Sequence, residues 1–179
     1  MARWNLATVV GVPGTGKTSL SRQAAASTGY QYVNFGELML DFARKKEPVS
    51  TQEEMFQLPL DVQFKIWGAA ANSIKDKENV LLDLHGLDRS EQGYLISLPL
   101  EILTPQIIIL VESTYYDIIN RRVRDRHRKR PLISFKCLKE EMELLRSIIT
   151  VTSTMKGSYF VILKNDVFDE SLRVLKKYL

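Results

Sequence analysis

Ten residues limit this chain more than any others. Val9-Val10-Gly11-Val12-Pro13-Gly14-Thr15-Gly16-Lys17-Thr18 contains the spacing G-x-x-x-x-G-K-[ST], with Gly11, Gly16, Lys17 and Thr18 at the fixed positions. Glycines let the backbone curl so that successive N–H groups converge on one phosphate. The helix that follows adds its positive end. Lys17 brings a point charge for β/γ-phosphates, and Thr18 a hydroxyl for Mg²⁺. The flanks suit this use. Leu6-Ala7-Thr8-Val9-Val10 predicts a buried strand entering the loop, and Ser19 to Ala26 a helix leaving it.

The rest of the chain repeats that alternation. Tyr30–Val33, Asn79–Asp83, Ile107–Val111 and Tyr159–Leu163 read as strands. Helical patterns fill the intervals, including Glu37 to about Lys46, Pro59 to Lys75, Tyr115 to His127, Phe135 to Met155 and Phe168 to Leu179. Ser50 or Thr51 followed by Glu53 and Glu54 marks a helix start. Asp88–Gln92 reads as a polar loop, and Leu98–Leu103 as a connection or short helix. Nearly unbroken apolar strands alternating with helices predict an α/β three-layer sandwich on a five-stranded parallel sheet. Its ligands belong beyond the carboxyl ends of the strands.

A length of 179 residues suits one domain. No run is apolar enough to span a bilayer, and Asn5 with the glycine-rich loop interrupts any signal-peptide core, so a cytoplasmic protein is expected. The single cysteine, Cys137, excludes an internal disulfide, and with two histidines it cannot build a zinc site.

Three constellations carry candidate chemistry. Asp83 closes a buried strand, where a second magnesium partner facing Thr18 is expected. His85, two residues on, reads equally as a γ-phosphate contact or as a structural histidine. Arg89 follows by a short loop and is placed to hold a second phosphate-bearing substrate. The net charge of +4 comes mainly from Arg121, Arg122, Arg124, Arg126, Arg128, Lys129 and Arg130. Arg121 and Arg124, then Arg124 and Arg128, share a helix face, and Arg146 on the next helix is positioned to meet them. Such a cluster suits transition-state charge, a solvated face or RNA; the phosphate loop favours the first.

The order of these motifs resembles the archaeal-type adenylate kinases. The resemblance rests on the phosphate loop, Asn34-Phe35-Gly36-Glu37-Leu38-Met39, Glu53-Glu54-Met55, Asp83-x-His85, Arg89, Gly93-Tyr94-Leu95, Leu98-Pro99, Arg121-x-x-Arg124-Asp125-x-x-Arg128-x-Arg130 and Arg146. It covers essentially the whole chain. It implies the nucleoside-monophosphate kinase fold of the P-loop type and transfer of a phosphoryl group from MgATP to AMP, giving two ADP. It implies one domain over 1–179, an AMP-binding helical segment at about 34–76, a basic lid at about 121–134, and a homotrimer.

By position, Gly11, Gly14, Thr15, Gly16, Lys17, Thr18, Ser19 and Arg121 would hold ATP. Thr18 and Asp83 would hold Mg²⁺, the latter through water. Asn34, Phe35, Gly36, Met39, Arg89, Gly93 and Tyr94 would hold AMP. Lys17, Asp83, Arg124 and Arg128 would be catalytic, with Arg130 and Arg146 completing the lid. The sequence departs from the family where Phe56 replaces an arginine after Glu54-Met55, with Arg44 or Lys45 as its substitute, and where Ser113-Thr114-Tyr115 follows Glu112. The phosphate loop, Ser27–Asn34 and Asp83-x-His85-Gly86 also resemble the adenylate-kinase-like ATPases of ribosome maturation. A nucleotide-switched RNA-binding module is a third reading, although nucleic acid is disfavoured as a partner.

Overall fold

The computed structural model describes residues 2–90, 93–124 and 133–179. In chain order it contains β1 (Leu6–Val10), α1 (Lys17–Thr28), β2 (Gln31–Asn34), α2 (Phe35–Ala43), α3 (Gln52–Phe56), α4 (Leu60–Asn72) and β3 (Val80–Leu84). Then come β4 (Gly86–Ser90), β5 (Gly93–Ser97), β6 (Ile107–Glu112), α5 (Tyr115–Arg124), α6 (Phe135–Lys156), β7 (Tyr159–Lys164) and α7 (Phe168–Tyr178).

Five strands form one parallel sheet in the order β2-β3-β1-β6-β7. Strand residues alternate between its faces. Leu6, Val10, Leu82, Leu84, Ile108 and Leu110 pack with Met39, Ile66, Ala70, Leu145 and Ile149 from α2, α4 and α6. Ala7, Val9, Leu81, Ile107 and Ile109 pack with Leu20, Ala24 and Leu175 from α1 and α7. Helices on both faces explain why the central strands carry almost no polar residues. The expected three-layer α/β architecture is therefore present. From β1 the chain goes first to β2 and β3 on one side, then to β6 and β7 on the other. The order reverses beyond the end of β1, where the loop at Gly11 begins, and ligands of such sheets lie at that point.

Two local expectations change. Residues 88–90 are not plain loop: they belong to β4, which pairs antiparallel with β5, with Arg89 opposite Tyr94. A two-stranded ribbon keeps one side in solvent, so its sequence reads as a polar loop. The helix expected from Glu37 starts two residues earlier, at Phe35, because Asn34 is the N-cap of α2, its side chain accepting from the Glu37 N–H at 3.0 Å. The expected start of α3 holds, with Thr51 and Glu54 capping each other's backbone.

Candidate active site

The loop between β1 and α1 is packed from behind. A Cβ on Gly11 would lie 2.5 Å from the Val111 carbonyl oxygen, so any side chain there would push β1 and β6 apart. Gly16 caps α1 with φ 85°, and no side chain caps the helix. The first N–H groups of α1 are thus left for an anion. The loop's carbonyls are taken up elsewhere. Arg121 Nη1 donates to Thr15 O at 3.0 Å and Asn165 Nδ2 to the same oxygen at 2.7 Å. Arg122 Nε donates to Pro13 O at 3.0 Å. No peptide here is cis. In a trans peptide the N–H lies opposite the C=O, so the Gly14 and Gly16 N–H groups point away from these guanidinium groups.

Arg121 and Arg122 therefore brace the loop through its backbone. This differs from the expected position of Arg121 in a clamp over the phosphates. Arg121 also donates to Ser113 Oγ at 3.1 Å and to Asn165 O at 3.0 Å, which explains the serine that follows β6. Arg124 is exposed at the end of α5. Arg128 and Arg130 lie outside the described residues. Arg146 was expected to join the arginine cluster. Instead it forms a two-bond pair with Glu112, at 2.9 and 2.6 Å, because α6 runs past the end of β6. Ser19 is exposed in the first turn of α1.

Asp83 is the hub. Its side chain is 1% exposed. Oδ2 accepts from Thr18 Oγ1 at 2.7 Å, from Tyr32 OH at 2.8 Å and from Asn34 Nδ2 at 3.4 Å. Oδ1 has no hydrogen bond, but Lys17 Nζ stands 3.9 Å away. Burial and the Asp83 charge push the Tyr32 phenol up to about 12. A buried carboxylate oxygen without a donor, beside a threonine hydroxyl, is a hard-oxygen pair suited to Mg²⁺. Among the described residues no group of three or more His, Cys, Asp or Glu side chains gathers into a metal cage. Magnesium that is bound mainly by phosphates needs none.

His85 faces Asp88 at 3.8 Å. The nearby Lys17 charge and burial lower its pKa, so the imidazole is neutral at pH 7. Burial pushes the Asp88 carboxyl up, but the nearby His85 and the Lys17 charge outweigh this and hold it below its usual value.

Two cavities meet at Gln52, Phe56, His85 and Asp88. One lies among α2, α3 and α4 and is mostly apolar, lined by Asn34, Phe35, Gly36, Met39, Phe64 and Trp67 among others. The second runs to the phosphate loop at Val12 and Pro13 and carries Arg89, Tyr94, Arg122 and Glu141. Arg89 lies 3.7 Å from Glu141, with its guanidinium over the Tyr94 ring at 5.9 Å. Gly93, at φ 127°, opens β5 and lines neither cavity. Phe56 faces both cavities at the place of the expected arginine. The suggested substitutes do not reach them: Arg44 binds Ser50 O at 2.6 Å and Asp41 at 3.7 Å, and Lys45 lies over the Phe42 ring.

Residues 10–139 match the AAA domain family AAA_17. The chain is 46% identical over 157 residues to an adenylate kinase homolog of Methanothermobacter thermautotrophicus, covering 88% of this chain and 82% of that protein. It is 33% identical over 171 residues to an adenylate kinase of Methanoculleus marisnigri, covering 89% of each.

The chain belongs to the archaeal adenylate kinases.

Among solved structures it resembles the shikimate kinase of Acinetobacter baumannii, with a TM-score of 0.63 over 99% of this chain and 94% of that one. At 18% identity that likeness shows the P-loop kinase fold alone. Neither the ribosome-maturation ATPase nor the RNA-binding module is supported by these relatives. Further residues stand at the site besides those the motifs single out. Tyr32 joins Asp83, Asn165 braces the loop, and Arg122 and Glu141 line the second cavity. Only Arg122 carried a signal, as part of the basic run. Tyr32 and Asn165 act across more than fifty residues, which no local pattern reveals.

Proposed function

We propose that this adenylate kinase transfers the γ-phosphoryl group of MgATP to AMP, reversibly, giving two ADP. The observation that carries the reading is the pair of joined cavities on one side of the Asp83 hub, one apolar and one bearing guanidinium groups beside the phosphate loop. Lys17 and the N-terminal N–H groups of α1 hold the ATP phosphates, with Gly11, Gly14, Thr15, Gly16 and Thr18 shaping the cradle. Thr18 and Asp83 would hold Mg²⁺, which would supply positive charge to the ATP phosphates. AMP places its base among Phe35, Gly36 and Met39, below Asn34, and its phosphate toward Arg89 and Tyr94. The AMP phosphate is itself the nucleophile, so alignment and charge neutralisation suffice. Arg124, with the arginines at 128 and 130, supplies charge to the transferring group from a lid.

An acceptor panel tests this. Purified protein with MgATP should make ADP rapidly with AMP and slowly with GMP, CMP, UMP or dTMP. ATP hydrolysis that ignores every acceptor would overturn the reading. Arg89→Ala should raise the KM for AMP by about tenfold or more while the KM for ATP stays within about twofold, as expected for one lost charge-assisted phosphate contact. Steady-state kinetics at saturating partner concentrations separates the two values.

The chain is further assigned to a cytoplasmic homotrimer. Exposed apolar side chains on the last turns of α6 and on β7, Val151, Met155, Tyr159 and Ile162, supply a surface for self-association. Light scattering on the eluted peak should give three times the chain mass of 20.5 kDa.

A further inference from the structure

We infer that Glu141 is a resident counter-charge in the acceptor's phosphate subsite: it competes with the AMP phosphate for Arg89 and so weakens the hold on AMP. The inference deepens the proposed reading and rests on the second cavity receiving that phosphate. Both side chains line this cavity, Arg89 from β4 and Glu141 from α6. Arg89 Nη1 and Glu141 Oε1 are 3.7 Å apart, too far for a hydrogen bond, so charge alone holds the pair. The partners differ in freedom. The Glu141 side chain is 12% exposed and the Arg89 side chain 49%. The carboxylate is set in the wall, whereas half of the arginine stays open. A guanidinium carries five N–H donors, and this contact leaves the others for a phosphate.

The other charges on the wall point to the same residue. The cavity carries Arg89 and Arg122, but also Glu53, Asp88 and Glu141. Arg122 is engaged with the Pro13 carbonyl. Asp88 faces His85, and its side chain is 34% exposed. Glu53 is exposed, so water and salt screen it. Glu141 is therefore the carboxylate that water covers least, and it lies against the arginine proposed for the phosphate. Burial pushes its carboxyl up, while the Arg122 and Arg89 charges pull it back. A phosphate that draws Arg89 to itself takes away part of that compensation. Two anions on one guanidinium in a poorly screened wall oppose each other. The same opposition acts on the ADP formed in the subsite and helps it leave.

The test compares wild type and Glu141→Gln by calorimetry, with AMP and with adenosine, in the absence of ATP. Glutamine keeps the length and shape of the side chain and removes its charge. AMP should bind about three- to tenfold more tightly to Glu141→Gln, while adenosine, which lacks the phosphate, should stay within about twofold of wild type. The KM for AMP should fall by a similar factor and the KM for ATP should stay within about twofold. The gain should shrink as sodium chloride is raised from about 50 mM to about 500 mM, since salt screens the charge that was removed. Glu141→Ala, which loses the length as well, should show the same sign. Thermal melts of both variants check that the fold survives.

A damaged site loses affinity, so a gain confined to the phosphate-bearing ligand separates this role from a structural one. Weaker AMP binding in Glu141→Gln, the sign of a carboxylate that only steadies Arg89, overturns the inference. So does unchanged AMP binding, or an equal gain for adenosine. In each of these cases AMP that wild type still phosphorylates leaves the kinase reading standing. Wild type that binds AMP no more tightly than adenosine overturns the placement of the acceptor's phosphate, and the inference with it.

Discussion

Lys17→Ala is expected to lower kcat by at least about a hundredfold, the scale of one lost donor aimed at transition-state charge. The side chain is buried, and it starts α1 directly above Asp83 Oδ1. Alanine is a good helix former, so α1 should persist, and a far-UV spectrum and melt should confirm a folded chain. A second consequence checks the electrostatics without substrate. The Lys17 charge is the largest cause of the lowered His85 pKa. Removing a positive neighbour favours the imidazolium, so His85 should titrate at higher pH in Lys17→Ala than in wild type. Imidazole NMR shifts across pH 5–8 would read this. A wild-type rate, or an unmoved His85 titration, would remove Lys17 from the place assigned to it.

Asp83→Ala is expected to do more damage to the fold. Thr18, Tyr32 and Asn34 lose a common acceptor, and Lys17 loses the carboxylate oxygen 3.9 Å from its ammonium. Breaking a buried ion pair from one side costs about 3 kcal/mol or more. For a domain of this size that lowers Tm by about 6–12 °C. Activity should fall below detection, because the carboxylate proposed behind the metal is gone. The Tyr32 phenol gives an independent signal. Burial and then Asp83 raise it to about 12. Loss of the negative neighbour should bring it down, though not to 10, since burial remains. Selectively labelled tyrosine followed by NMR at alkaline pH would show the change; a Tyr32 still ionising near 12 would mean that Asp83 has little hold on it.

Sequence reading worked where physics is local or strongly periodic. β1, β3 and β6 were legible because strands covered on both faces must be apolar throughout. The phosphate loop was legible because glycine spacing dictates backbone shape. Asp83 was legible because a charge closing such a strand has few explanations. The β4–β5 hairpin was not, since its polar residues fit a loop equally well. The arginines were found, but not their direction. Spacing put Arg121 and Arg124 on one helix face without saying that Arg121 would turn to the Thr15 carbonyl. Arg146 chose Glu112, thirty-four positions away, over the basic run.

The Asp83 hub has a consequence for anyone who would redesign this protein. A single carboxylate oxygen is shared by Thr18, which follows the phosphate loop on α1, and by Tyr32 and Asn34 from β2, the latter lining the apolar cavity proposed for AMP. Changes made at the two ends of the cleft should therefore be epistatic. A library aimed at a new acceptor that varies Tyr32 or Asn34 will also perturb ATP use, and winners should need compensating changes near Thr18. Substitutions farther out on α4, which do not touch that oxygen, offer the freer route to altered selectivity.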